Sequence, residues 1–262
     1  MGFSADWLAL REPADHAARD PALMAEAAAL AGARPVVVDL GAGTGSTRRA
    51  FGAALPEGAV WRMVEGDAAL LAHCAGERHL MDLRDLAALP LAGATLVTAS
   101  ALLDLVSEAW LAGLVEVLAA RRLPFHAALS YDGLMAWEPE DAGDAGVTAA
   151  FNRHQRGDKG FGPALGPDAV MRTAELFRAA GYAVRMADSP WRIGPDQAAL
   201  GDALLEGIAA AAAAEAGIAA EEAARWLAAR RGLLGQGRMV IGHLDLLAVP
   251  AGDGMEGQDG DD

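Results

Sequence analysis

Two hydrophobic rhythms alternate along the chain. Ala, Leu and Met recur at helical spacing over residues 13–33, with Gly32 as a stop. After Pro35 comes an unbroken β-branched run, Val36-Val37-Val38, which suits a strand buried on both faces. The pattern then predicts a helix over 47–54, a strand over 60–64, a helix over 68–75 and strands over 78–83 and 94–99. The helix predicted over 107–122 puts Trp110, Leu111, Leu114, Val115 and Leu118 on one face, and a fifth strand follows over 125–130.

Residues 131–167 break this rhythm, being rich in Gly, Pro and Asp without a sustained period. So long an irregular connection inside a compact domain is more often functional than idle. Beyond it the pattern predicts a helix over 168–180, with Asp168 as N-cap and Gly181 as stop, and a sixth strand over 183–187. Residues 196–231 read as Ala-rich helix broken around Gly217, and a long last strand spans 238–249. Strands alternating with helices indicate an α/β fold around a mostly parallel sheet.

A length of 262 residues allows one large domain. The expected plan is a helical segment over 1–34 and a main domain over 35–250, with an irregular part at 132–167 and a helical insertion at 196–231. That insertion suits a lid or a homodimer contact. The Gly- and acid-rich tail, 251–262, is expected to be disordered. A formal net charge of -15 disfavours nucleic acid as partner, and the arginine pairs at 48–49, 121–122 and 230–231 form no stripe. Cys74 stands alone, so no internal disulfide can form. No signal peptide or apolar stretch of membrane-spanning length is read, so a cytoplasmic protein without a membrane partner is expected. The six histidines are scattered and suggest no metal site.

The informative chemistry follows the first strand. In Asp39-Leu40-Gly41-Ala42-Gly43-Thr44-Gly45, three alternate glycines lie between strand and helix and let a ligand approach the main chain. A dinucleotide fingerprint requires glycine at position 46, where Ser46 stands. An acid at the strand tip, Asp39, repels a pyrophosphate but attracts an ammonium group.

The string from Val36 to Gly45 resembles motif I of the class I S-adenosylmethionine-dependent methyltransferases. The likeness extends to Val64-Glu65-Gly66-Asp67, where Glu65 matches the ribose-binding acid, and to Met81-Asp82-Leu83, where Asp82 matches the acid on the adenine amino group and Leu83 packs on the ring. The fourth-strand motif corresponds to 96–104 and includes Ser100. The resemblance implies a Rossmann-like, seven-stranded, mostly parallel sheet flanked by helices, with a final antiparallel strand. It implies S-adenosylmethionine as cofactor, S-adenosylhomocysteine as its product, and a cofactor site formed by Asp39, Gly41, Ala42, Gly43, Gly45, Glu65, Gly66, Asp82, Leu83 and Ser100.

The acceptor side is read more coarsely. Asp104, Tyr131, Trp137 and Phe151 are candidate acceptor-binding residues, and His154 is a candidate general base. His126, inside a strand, reads as a satisfied core residue. The expected activity is methyl transfer to a small-molecule acceptor. Rival readings are a protein or macromolecule methyltransferase with the same core, a non-catalytic cofactor-binding partner subunit, and a nicotinamide dehydrogenase.

Overall fold

The computed structural model describes residues 3–251, so all of the expected acidic tail except Ala251 lies outside the described residues. The helix predicted over 13–33 is two helices, α1 (Ala5–Ala18) and α2 (Pro21–Leu30). Asp20 explains the break: its carboxylate accepts the Leu23 N–H at 2.7 Å, and Pro21 takes the first helical position, where a missing N–H costs nothing.

The alternating part follows in order: β1 (Val36–Leu40), α3 (Ser46–Phe51), β2 (Val60–Glu65), α4 (Ala68–Leu71), β3 (Glu77–Leu80), β4 (Leu96–Ser100), α5 (Glu108–Ala119) and β5 (Phe125–Glu138). Then come α6 (Asp144–Gln155), α7 (Ala169–Ala179), β6 (Tyr182–Asp188), β7 (Trp191–Ile193), α8 (Ala198–Ala213), α9 (Ala220–Arg231) and β8 (Arg238–Pro250). The strands form one sheet of order β3-β2-β1-β4-β5-β8-β6, with β7 also paired to β8. Pairing from β3 to β5 is parallel, and β8 runs antiparallel to its neighbours. The sheet has eight strands where the sequence predicts seven, because β7 continues β6. Trp191 pairs with Ile241 in the register that β6 sets from Tyr182–Pro250 to Asp188–Leu244. Pro190, without an N–H, stands between the two.

β1 sits between β2 and β4, so the strand order reverses at its two sides. Ligands in open α/β sheets bind beyond the strand ends at such a switch point. The three valines of β1 divide between faces: Val38 joins Leu111, Leu114, Phe125 and Phe177, while Val37 joins Leu23, Phe51 and Met63. Burying both faces accounts for the absence of polar alternation in this strand.

The segment predicted to be irregular, 131–167, is mostly regular. β5 runs on to Glu138, and α6 follows. The pairing of β5 with β8 shifts register between Ala127 and Ser130 and again between Tyr131 and Met135, with Leu129 at φ 59° and Gly133 at φ 93°. Bulges of this kind erase the two-residue period that marks a strand. Asp168 makes no cap; it pairs with Arg156 at 2.9 Å. A third cluster, with Trp137, Val147, Trp191, Leu205 and Trp226, joins the distal parts of β5, β7 and β8 to α6, α8 and α9.

His126 lies in the core, but it is not satisfied there. Neither ring nitrogen has a hydrogen-bond partner, and the ring meets Phe51 edge-on at 5.7 Å. Burial, with Arg19 adding repulsion, pulls its pKa down to about 3. The unfolded chain therefore takes up a proton near pH 6.5 that the folded chain refuses, and stability falls as pH drops from about 6.5 towards 3. His126→Leu is expected to raise stability by about 1–2 kcal/mol at pH 8, and by more at pH 5. Denaturant unfolding at both pH values checks this; a variant less stable than the parent, or a pH-independent difference, contradicts it.

Candidate functional site

A cavity of about 400 Å³ lies beyond the ends of β1, β2 and β4, at the switch point. Gly41, Ala42, Gly43 and Thr44 line it, together with Ser46 and Thr47 at the start of α3. Gly41 at φ 65° and Gly43 at φ 54° hold a backbone that other residues rarely adopt. At the β2 tip the cavity meets Glu65, Gly66 and Asp67, and beyond β3 it meets Asp82 and Leu83. Ser100, Ala101, Leu102 and Leu105 line it after β4. Ala101 sits at φ 49°, a strained angle for a residue with a Cβ, where the chain turns out of β4.

Glu65 organises the glycine loop. One carboxylate oxygen accepts the Gly43 N–H at 2.8 Å, and the other accepts the N–H groups of Gly66 at 2.8 Å and Asp67 at 3.0 Å. Asp67 caps α4 through the Ala69 and Leu70 N–H groups. Asp82 is solvent-exposed and pairs with Arg84, which together with the Arg84 backbone N–H holds its pKa down to about 2. The Leu83 carbonyl accepts the Trp110 indole N–H at 2.7 Å, which fixes the chain beside Asp82.

Eight of the ten cofactor residues expected from sequence line this one cavity: Gly41, Ala42, Gly43, Glu65, Gly66, Asp82, Leu83 and Ser100. Asp39 and Gly45 do not. Asp39 is buried beneath the loop and accepts the Thr98 hydroxyl at 2.7 Å. Burial pushes its carboxyl up to about 6, against the opposing pull of Thr98 and the Arg19 guanidinium. Its other oxygen has no partner. Asp39 therefore belongs to the support of the loop, not to its surface. Gly45, at φ 84°, adopts the left-handed turn that starts α3, and its Cα faces Arg49, Met63 and Cys74.

None of the five residues expected on the acceptor side lines the cavity. Tyr131 donates its hydroxyl to Asn152 at 2.7 Å and meets Phe151 edge-on. Trp137 packs against Trp226 and under the Arg230 guanidinium, in the cluster built by α6, α8 and α9. Asp104 is buried behind the Leu103–Leu105 turn, with one oxygen unpartnered and its carboxyl pushed up to about 6 by burial. His154 turns Nδ1 towards Lys159 Nζ at 3.1 Å. Tyr131, Trp137 and Phe151 are engaged in packing because the lengthened β5 and α6 draw them into the third core cluster.

In their place the cavity receives residues from the N-terminal helix and from the stretch after α6. Leu8, Arg11 and Asp15 cover it from α1, and Lys159 and Phe161 border it from beyond α6. Arg11 and Asp15 form a buried two-point ion pair at 2.9 and 3.0 Å, Asp15 also accepts the Trp191 indole N–H at 3.0 Å, and Arg11 lies over the Trp191 ring. α1 is tied to the loop itself: Glu12 pairs with Arg49 at 2.6 Å, and His16 Nε2 sits 3.1 Å from the Ser46 hydroxyl. Hydrophobic spacing could not reveal this roof, since its contacts join residues some 30–176 positions apart.

The Glu65 bonds carry a stability prediction. Glu65→Ala leaves three loop N–H groups without their carboxylate, and the melting temperature is expected to fall by several degrees, equivalent to about 1–2 kcal/mol. Glu65→Gln, which keeps one acceptor oxygen, is expected to fall between parent and Ala. Thermal unfolding checks this order; an Ala variant as stable as the parent contradicts it.

No protein-family model matches this chain, and no curated protein matches it in sequence. Solved structures do match. A provisionally assigned type II methyltransferase from Anaeromyxobacter dehalogenans is 17% identical, with 89% of this chain and 98% of that one covered at a TM-score of 0.50. A cyclopropane synthase from Mycobacterium tuberculosis is 15% identical over 94% of each chain at a TM-score of 0.48. A geranyl diphosphate C-methyltransferase from Streptomyces coelicolor is 13% identical over 87% of this chain and 78% of that one at a TM-score of 0.44. At 17% identity the likeness to the first of these is one of fold alone. The chain has the Rossmann-like fold of the class I S-adenosylmethionine-dependent methyltransferases.

Proposed function

We propose that the protein binds S-adenosylmethionine in the cavity above β1 and transfers its methyl group to a small-molecule acceptor. One observation carries the reading. A glycine loop, an acid at the β2 tip and an acid–leucine pair after β3 all face one cavity of about 400 Å³. Each has a partner on an amino-acid-bearing nucleoside. Gly41 and Gly43 admit close approach, Glu65 offers carboxylate oxygens to ribose hydroxyls, and Asp82 with Leu83 accepts and covers an adenine edge. A Cβ at Gly41 would stand 3.5–3.8 Å from Leu102 and Leu83, so the glycine keeps open the slot between these two apolar side chains.

When bound, the cofactor supplies an electrophilic methyl group on a sulfonium. The protein's part is then mainly to hold an acceptor in line with that group and to keep water out. Leu8 and Phe161 supply apolar wall, and α1 covers the loop. This roof favours a small acceptor over a protein or nucleic-acid segment, which needs an open groove. His154, turned onto Lys159, has no direct path to an acceptor in this arrangement, and any proton it takes must pass through Lys159 or through water.

Calorimetric titration with S-adenosylhomocysteine tests the cofactor reading. Binding is expected in the parent, with about tenfold weaker affinity in Asp82→Ala, whose exposed position spares the fold. Asp39→Ala serves less well, since Asp39 is buried and its loss disturbs the fold as well. Tight NAD binding without S-adenosylhomocysteine binding overturns the proposal. Binding without methyl transfer to any component of a metabolite extract identifies a non-catalytic partner subunit instead.

A further inference from the structure

The chain holds 21 basic residues, and only one of them, Lys159, is a lysine. That single lysine lines the cavity. Its ammonium donates to the His154 carbonyl at 2.9 Å and lies 3.1 Å from His154 Nδ1, so the side chain is held in place with one N–H left over. A second cation lines the same cavity. Arg11 spends Nε and Nη2 on Asp15, which leaves Nη1 without a partner among the described residues. Trp191 beneath the guanidinium and the two-point bond to Asp15 fix its plane.

The two cations line one cavity, and Asp104, just after β4, feels the charge of both. Of the cavity's acids, Glu65, Asp67 and Asp82 stand at the tips of β2 and β3, across β1, and Asp15 of α1 is paired with Arg11. The strand-tip acids of the cavity thus come from β2 and β3, and its two cations come from α1 and from the stretch after α6. Leu8, Leu105 and Phe161 add apolar lining to the same cavity. Burial lowers the Lys159 pKa while Glu215 and Asp104 pull it up.

Resting on the cofactor reading above, we infer that the acceptor carries a terminal anion, a carboxylate or a phosphate, on an apolar body. Lys159 and Arg11 Nη1 take the anion, and Phe161 with Leu105 takes the body. Two immobilised cations beside apolar wall are suited to such a ligand, because little side-chain freedom is lost on binding. A neutral acceptor would leave the remaining Lys159 N–H and Arg11 Nη1 without an anionic partner, and a cationic one would be repelled.

Hexanoate and hexyl phosphate serve as anionic probes, with hexanol and hexylamine as controls, each titrated calorimetrically with and without saturating S-adenosylhomocysteine. At least one anion is expected to bind tenfold or more tightly than hexanol, and which of the two does so separates carboxylate from phosphate. Lys159→Gln is expected to abolish that preference, and Lys159→Arg, which keeps the charge, to retain it. Reductive methylation with ¹³C-formaldehyde labels only Lys159 and the α-amine, and the Lys159 resonance is expected to move with the anionic probes alone. Equal affinity for hexanol and both anions, or a preference undiminished in Lys159→Gln, overturns the inference. Failure of S-adenosylhomocysteine to bind overturns the cofactor reading instead, and the anion preference is still read from the titrations without it.

Discussion

One buried guanidinium holds the site together. Arg19 ends α1, is buried, and donates to the Ser100 hydroxyl at 2.8 Å at the tip of β4. Asp15 of α1, Asp39 of β1 and Asp245 of β8 supply the charge around it. A lone buried cation is prohibitively unfavourable, whereas one set among three carboxylates is tolerated. Asp245 in turn accepts the N–H of Asp20, which starts α2, and that of Leu129 at the β5 bulge. Arg19 thus bonds α1 to the β4 tip and Asp245 bonds β8 to α2 and the β5 bulge, while Arg19 Nε and Nη1 make no hydrogen bond and meet Asp15, Asp39 and Asp245 through charge alone. Burial dominates there: it lowers the Arg19 pKa and raises those of Asp39 and Asp245.

This cluster places α1 over the cavity. With Arg19 fixed below, the preceding turns carry Asp15, Glu12, Arg11 and Leu8 across the glycine loop to meet Trp191, Arg49 and Gly43. A Cβ on Gly43 would lie 3.1 Å from Leu8, so the loop and its roof are closely fitted. The cavity is made by two parts of the chain that are distant in sequence, and its chemistry divides accordingly. The sheet supplies the glycines and carboxylates suited to the cofactor. The roof and the stretch after α6 supply two cations and apolar wall.

The sheet side of the cavity is legible in the sequence because it is local. Val36 to Val38 announce a buried strand, and Glu65 and Asp82 follow at the tips of successive strands, in chain order. Asp39 was read correctly as a strand-end acid, but its burial depends on Thr98 and Arg19, which sequence spacing does not bring together. The split between α1 and α2 was signalled by Asp20-Pro21, a cap followed by a proline, and was hidden by the Ala-rich run on either side. β5 beyond Ser130 could not be read, because two register shifts and the turns at Leu129 and Gly133 remove its period. Tyr131, Trp137 and Phe151, expected on the acceptor side, pack in a core cluster away from the cavity for the same reason. Lys159 left a signal in the composition, as the one lysine of the chain.

The central claim is that S-adenosylmethionine seats between the glycine loop and α1. Hydrogen exchange with and without saturating S-adenosylhomocysteine tests it most directly, because protection is read along the whole backbone. Slowed exchange is expected at residues 41–47, at 65–67, at 82–84 and throughout α1, with the distal helices α8 and α9 unchanged. Protection confined to α8 and α9, or none in α1 and the glycine loop at saturation, would contradict it.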